Sequence, residues 1–188
     1  VIIECAPLPL KPRARLYRDG MDVLVPSVRR VPPESLSPRA KSHNYLNLIM
    51  ADMEAKKQDP EAWAILLDTR GFLSEGIGSN IFTIKDGVIY TPQEQYVLGG
   101  ISRETAIEMA ERIDVPVVAK DLDLFDAITA DEIFLTSTSL CICGVRSFQG
   151  RQIGDGTAAG PITKALMDEY VDFVEFDWLG QYLKRLED

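Results

Sequence analysis

Four stretches of the sequence combine residue types and spacings that could carry chemistry. Lys41 follows a Pro-rich segment and opens a helical pattern, in Arg39-Ala40-Lys41-Ser42-His43-Asn44-Tyr45. A lysine amine becomes a Schiff-base nucleophile where burial or a neighbouring charge lowers its basicity; otherwise it is a solvated surface cation. Glu75 lies among small and apolar residues in Ser74-Glu75-Gly76-Ile77-Gly78-Ser79-Asn80. A carboxylate in such surroundings needs a partner, for which a protonated ring nitrogen would serve; a solvated turn glutamate is the alternative. Leu98-Gly99-Gly100-Ile101-Ser102-Arg103 runs from a glycine turn straight into a helix. Free backbone N–H groups and the helix dipole make such a start an anion site, with the Ser102 hydroxyl as a further donor; an ordinary helix capped by Ser102 is the other reading. Thr136-Ser137-Thr138-Ser139 ends an apolar strand with four hydroxyls in succession, which suits an anion or a solvated loop.

Other chemistries find less support. The Gly-x-x-x-x-Gly-Lys spacing of a nucleotide P-loop is absent around Gly99 and Gly100, and the glycines between Gly154 and Gly160 lack the strand-to-helix context of a dinucleotide fingerprint. His43 is the only histidine, so no four-ligand metal spacing is present. Acidic residues outnumber basic ones 29 to 20, for a net charge of −9, which argues against general nucleic-acid binding but leaves room for a local phosphate pocket. Cys5, Cys141 and Cys143 are too few for a secreted disulfide framework; the last two are expected on one face of a strand as small buried hydrophobes. No apolar run reaches membrane-spanning length and no secretory signal opens the sequence, so no membrane partner and a cytoplasmic location are expected.

The elements that must position these residues can be read in outline. Val1–Cys5 and Ala14–Tyr17 are expected as short strands between prolines, and Met21–Val28 as a strand with Pro26 at an edge or bulge. A Pro-rich linker covers 29–40. From His43 to Lys57, Tyr45, Leu46, Leu48, Ile49, Met50 and Met53 recur at helical spacing with charges between them, the pattern of an amphipathic helix. A strand is expected over Ala62–Asp68. Asn80–Lys85 and Val88–Thr91 flank Asp86-Gly87, the favoured two-residue hairpin turn. A helix over Ser102–Ile113, a strand over Val115–Ala119 and a short helix over Leu122–Ala127 follow. Strands over Ile133–Ser137 and Ile142–Phe148 come next, then helices over Pro161–Phe173, with Pro near the first position, and Phe176–Leu186. Hairpins dominate the middle, so the fold class is α+β with a mixed sheet.

Taken in order, these segments resemble the class IV (fold type IV) aminotransferases, enzymes of pyridoxal 5′-phosphate (PLP) that include branched-chain, D-amino-acid and amine transaminases and aminodeoxychorismate lyases. The resemblance runs over nearly the whole chain, through Lys41 with Asn44-Tyr45, Leu67-Asp68, Ser74-Glu75-Gly76 with Asn80-Ile81-Phe82, Thr91-Pro92, Leu98–Arg103, Ala130-Asp131-Glu132, the hydroxyl run and Gly160-Pro161-Ile162-Thr163. It implies the large domain of a branched-chain-aminotransferase-like enzyme. Lys41 would be the covalent anchor of PLP and the catalytic proton carrier. Glu75 would pair with the pyridine nitrogen and keep it protonated. Tyr45 would hydrogen-bond the ring's phenolic oxygen with Arg30 as its support. Ile101, Ser102 and Thr138 would cradle the phosphate, and backbone at Thr138 and Ser139 would meet the substrate carboxylate. The partners implied are an amino donor, a 2-oxo acid and a second copy in a homodimer.

The sequence departs from the branched-chain pattern at three places. Lys41-Ser42-His43-Asn44-Tyr45 is one residue shorter than the usual Lys-x-Gly-Gly-Asn-Tyr and nearer to D-amino-acid and amine transaminases. Ser79 stands where bacterial branched-chain members often carry Glu, and Ser102 where Thr is usual. Substrate class therefore stays open, and a lyase of the aminodeoxychorismate type remains an alternative. The chain opens on Val1-Ile2-Ile3 without Met, a bare apolar start that leads one to expect further sequence upstream. On the family pattern, 1–28 would hold remnant strands of a small N-terminal domain and the start of the large one, 29–40 a linker, and 41–188 the large PLP-binding domain. A noncatalytic PLP-binding fragment is the third reading.

Overall fold

The computed structural model describes residues 3–187. Its centre is one mixed sheet of nine strands in the order β3-β2-β1-β8-β7-β4-β5-β6, with β9 on β8. The strands are β1 Met21–Leu24, β2 Trp63–Leu67, β3 Leu73–Gly76, β4 Asn80–Lys85, β5 Val88–Thr91, β6 Val117–Ala119, β7 Glu132–Ser137, β8 Cys141–Phe148 and β9 Arg151–Gln152. β1 lies parallel to both of its neighbours, β2 and β8, and β5 pairs in parallel with β6; the other ladders are antiparallel. A further antiparallel pairing joins Glu75 of β3 to Asn80 of β4. The ladder path β3-β2-β1-β8-β7-β4 thus returns to its start, and the pair that closes it carries Glu75, the expected site carboxylate. The α+β class with a mixed sheet stands.

The β4–β5 hairpin forms where Asp-Gly predicts it. Asp86 and Gly87 take positive φ (50° and 79°), the pair of left-handed residues that a two-residue hairpin turn requires. Phe82 and Phe134 are directly opposed across β4 and β7, with rings stacked at 4.6 Å. Such a cross-strand aromatic pair contributes about 0.5–1.5 kcal/mol beyond its buried area.

Among the described residues, six α-helices surround the sheet: α1 Leu10–Asp19, α2 Leu46–Gln58, α3 Ile101–Arg112, α4 Leu124–Ile128, α5 Pro161–Val174 and α6 Trp178–Leu183. α1 corrects the expected strand at Ala14–Tyr17. Pro12 reads as a breaker, but it is the third residue of the helix, where its missing N–H has no intrahelical partner to lose. Val1 and Ile2 of the other expected strand lie outside the described residues, and residues 3–9 carry neither helix nor strand. The expected strand over Met21–Val28 stops at Leu24 before Pro26. β3, only four residues and rich in polar side chains, has no counterpart in the sequence reading. α2 forms as expected, but only part of its apolar pattern turns inward: Leu48, Ala51 and Ala55 are buried, with Leu48 and Ala51 packing on Leu66 of β2, while Leu46, Met50 and Met53 stand exposed. The small residues let the helix approach the strand closely.

α5 begins on Gly160-Pro161 and is anchored by Glu132 of β7. That carboxylate accepts from Ile162 N (2.9 Å) and Thr163 N (2.8 Å), satisfying two free N–H groups at the helix start. Asp123 and Asp126 form a reciprocal capping box on α4. Cys143 is buried and Cys141 half-buried on β8; burial pushes their thiols up to about 12 and about 11, so both stay protonated. Among the described residues no helix is long and apolar enough to cross a membrane.

Candidate active site

The closing pair of the sheet lies in the wall of a cavity of about 330 Å³. Its lining comes from four places: the stretch from residue 30 into the first turn of α2, the β3–β4 connection, the loop into α3, and the end of β7 with Thr138 beyond it. A volume of this size falls in the range of small-molecule pockets. Of the residues expected at the site, Arg30, Lys41, Tyr45, Glu75, Ile101, Ser102 and Thr138 all line it. Ser139 does not: its carbonyl accepts from Arg13 Nη1 (3.1 Å) and from the Tyr182 hydroxyl, both outside the cavity.

Glu75 is the most constrained of these groups. It is 5% exposed, and its two oxygens have separate partners: Oε1 accepts from Arg30 Nε at 2.8 Å and Oε2 from Leu98 N at 2.9 Å. Burial raises its pKa above the usual carboxylate range, opposed by the Leu98 N–H, by Arg30 and by the more distant charge of Lys41. The expected link from Arg30 to Tyr45 is replaced by this ion pair. Arg30 is itself held firmly. Its N–H donates to Leu67 O (2.8 Å) at the end of β2, and the Asn47 side chain of α2 brackets it, donating to Arg29 O (2.7 Å) and accepting from Val31 N (3.2 Å). The polar 29–40 segment lacks helix and strand, yet at Arg30 it is tied to both the sheet and α2.

Lys41 lies exposed in the approach to α2, its Nζ 3.5 Å from the Tyr45 hydroxyl, four residues along the chain. Elsewhere in the lining, α3 starts with Gly100 as its N-cap, without a side-chain cap; Ser102 is the second helical residue. The expected Ser102 cap is therefore corrected. The first intrahelical bond is Glu104 N to Gly100 O, which leaves the N–H groups of Ile101, Ser102 and Arg103 without an intrahelical acceptor. Asn80 fixes the approach to this helix. Its Nδ2 donates to Leu98 O (3.0 Å), and its Oδ1 lies 2.5 Å from where a Cβ on Gly100 would stand. Glu75 and Asn80, paired across β3 and β4, thereby grip the N–H and the carbonyl of the same residue, Leu98.

The end of β7 supplies Thr136, Ser137 and Thr138. Thr136 Oγ1 is buried and has no hydrogen-bond partner among the described residues; Ser79 Oγ, also in the cavity lining, is in the same condition. Buried hydroxyls are nearly always satisfied, so two in one cavity wall mark places where a bound polar group would be met. Sequence reasoning assigns no role to Asn47 or Asn80, and names Gly100 and Thr136 only as members of the glycine turn and of the hydroxyl run. Asn80 stands in the Ser74–Asn80 stretch and Thr136 in the hydroxyl run, but the reach of Asn80 to Leu98 and the burial of the Thr136 hydroxyl arise only in the folded chain, which spacing does not show.

Comparison with known proteins decides the family. Residues 2–148 match the family described as amino-transferase class IV. The chain belongs to the class IV aminotransferases. It is 40% identical over 171 residues to a putative branched-chain-amino-acid aminotransferase of Methanocaldococcus jannaschii, an alignment covering 90% of this chain and 58% of that protein. Among solved structures it resembles the branched-chain amino acid aminotransferase of Escherichia coli, at 33% identity and a TM-score of 0.82, over 88% of this chain and 56% of that one. It also resembles the T.th. branched-chain amino acid aminotransferase complexed with N-(5′-phosphopyridoxyl)-L-glutamate, at 34% identity and a TM-score of 0.79, over 84% and 53%. This class IV chain thus spans somewhat over half the length of the relatives it matches.

Proposed function

We propose that this chain is the PLP-binding part of an aminotransferase that moves an amino group between an amino acid and a 2-oxo acid, with branched-chain amino acids as the substrate class. The observation that carries the reading is the convergence on one cavity of an accessible amine, a buried carboxylate of raised pKa and a helix start with free N–H groups. The names of the relatives support the substrate class.

The residues present fit the cofactor. Lys41 Nζ would hold it covalently, beside the Tyr45 hydroxyl that would meet the ring's phenolic oxygen. Glu75 would face the ring nitrogen, with Arg30 and the Leu98 N–H fixing the carboxylate's direction. The α3 N–H groups at Ile101 and Ser102, with the hydroxyls of Ser102, Thr136 and Thr138, would receive the phosphate. When bound, the cofactor supplies a carbonyl carbon and an electron-withdrawing ring. Glu75 would then contribute as the carboxylate that keeps the proton on that ring nitrogen, with Arg30 and the Leu98 N–H favouring its charged form against burial. Lys41 Nζ carries a proton to and from the substrate carbon, and Tyr45, 3.5 Å away, limits where that amine can rest. Backbone at Thr138 would meet the substrate carboxylate. Self-association in a homodimer belongs to the same reading and is supported by the exposed apolar row Leu46, Met50 and Met53 on α2.

The test is a visible absorption spectrum of the purified chain with added PLP, before and after borohydride, followed by peptide mapping. A visible band, trapped as a pyridoxyl adduct on Lys41 and abolished in Lys41→Met, is the expected result. Labelling spread over surface lysines, or undiminished in Lys41→Met, overturns the assignment.

A further inference from the structure

The cavity wall at Thr136–Thr138 continues into Ser139 and Leu140, and these two residues are gripped from behind. Leu140 N donates to Ser137 O (3.2 Å), closing a four-residue turn with Thr138 and Ser139 at its corner. Outside the cavity, three donors converge on the turn's last two carbonyls. The Tyr17 hydroxyl of α1 donates to Leu140 O at 2.6 Å, while Arg13 Nη1 of α1 (3.1 Å) and the Tyr182 hydroxyl of α6 both donate to Ser139 O. The two tyrosine rings pack on each other at 4.8 Å, and Tyr17 also meets Trp178 edge-on at 5.7 Å. Tyr17 and Tyr182 are both buried, and burial pushes the Tyr17 phenol up, so it stays a donor across the working pH range.

The geometry of a planar peptide gives this arrangement its reach. Fixing the Ser139 carbonyl fixes the plane that holds the Leu140 N–H, and fixing the Leu140 carbonyl sets the next plane. With Leu140 N tied to Ser137, the corner residues have little freedom left. One of them, Thr138, is exposed to the cavity. A buried pair of tyrosines could satisfy its hydroxyls on any carbonyl; here both, with an arginine, are spent on the one turn that borders the cavity.

We propose that Arg13, Tyr17 and Tyr182 are positioning residues, which hold the 137–140 turn so that Thr138 faces the phosphate of the bound cofactor. The inference rests on the cofactor reading above. Its test compares the dissociation constants of pyridoxal 5′-phosphate and of pyridoxal, measured by absorbance titration on the intact chain and on Tyr17→Phe/Tyr182→Phe, which keeps both rings. Wild type is expected to bind the phosphorylated form more tightly. In the variant, affinity for that form falls about tenfold, from the loss of two hydrogen bonds that order the turn, while affinity for pyridoxal changes less than about twofold. If the double variant does not fold, Arg13→Met and Arg13→Lys replace it: the former is expected to narrow the preference for phosphate and the latter to restore part of it. A parallel loss for both ligands, or no loss, overturns the positioning role and leaves the cofactor reading standing. A wild-type chain with no preference for the phosphorylated form overturns the cofactor reading, and this inference with it.

Discussion

Replacing Arg30 with methionine isolates the most consequential contact in the cavity wall. Methionine keeps much of the arginine's apolar volume and removes the guanidinium that donates to Glu75. The pair is well buried, with 9% and 7% of the two side chains exposed. Removing one member of such a pair costs about 3–5 kcal/mol, because the other is left charged and poorly solvated. Here the Leu98 N–H remains on the second oxygen and the cavity admits water, so the lower end applies, about 3 kcal/mol at neutral pH. For a chain of this size that corresponds to a fall in Tm of roughly 6–12 °C. The loss should also depend on pH with a definite sign. Glu75 has a folded pKa above its unfolded one, so the folded state binds more protons, and Glu75's contribution to stability falls as pH rises through the folded value. Without Arg30 the folded value moves higher, and the window widens upward. Urea unfolding followed by circular dichroism at about pH 5 and about pH 8 is the assay. The expected destabilisation is small at the lower pH and approaches its full value at the higher. An equal loss at both, or a loss under about 1 kcal/mol at pH 8, would show that the Arg30 charge does not sustain Glu75.

Two further changes test the scaffold. A Cβ on Gly144 would overlap the Ala158 carbonyl oxygen and lie 2.9 Å from its carbon, a meeting of two backbones that no rotamer can relieve. Gly144→Ala should therefore cost more than about 3 kcal/mol in urea unfolding, and a loss under about 1 kcal/mol would refute the close approach of β8 to residue 158. Glu132→Ala removes the acceptor of the Ile162 and Thr163 N–H groups; about 2 kcal/mol should be lost, with amide exchange fastest in the first turn of α5. Unchanged exchange there would show that water caps the helix equally well.

What can be read from the sequence, and what cannot, divides along the range of the forces involved. The Asp86-Gly87 hairpin and the Pro161 helix start are legible because their causes lie within a few residues. α1 is not, since its prolines suggest interruption and its helical state is fixed by packing on α6 and β8. α2 is legible as a helix, but its inward face only in part: of the large residues named at helical spacing Leu48 turns inward, while Leu46, Met50 and Met53 are exposed and the small Ala51 packs on β2. β3 escapes notice because a strand that carries a site is polar where a structural strand is apolar. At the site, Lys41, Tyr45, Glu75, Ile101, Ser102 and Thr138 can be named from the sequence and line one cavity. Arg30 can be named too, but with Tyr45 as partner in place of Glu75, and Asn47 and Asn80 have no assigned role. Each of these three acts by bridging segments that meet only in the folded chain.

The position of β1 has a bearing on how the chain comes to fold. Met21–Leu24 leaves the ribosome well before its parallel partner β8, which ends at Phe148, and α1 beside it packs on α6, which begins at Trp178. At about 5–20 residues per second, the roughly 160 residues between α1 and α6 take on the order of 8–30 s to appear. For that interval the apolar face of α1 lacks α6, and until β8 appears β1 has only β2 of its two ladder neighbours. The segment from β4 through β8 can pair locally in the meantime. The β8 side of β1 and the α6 side of α1 are therefore among the last contacts of this domain to form.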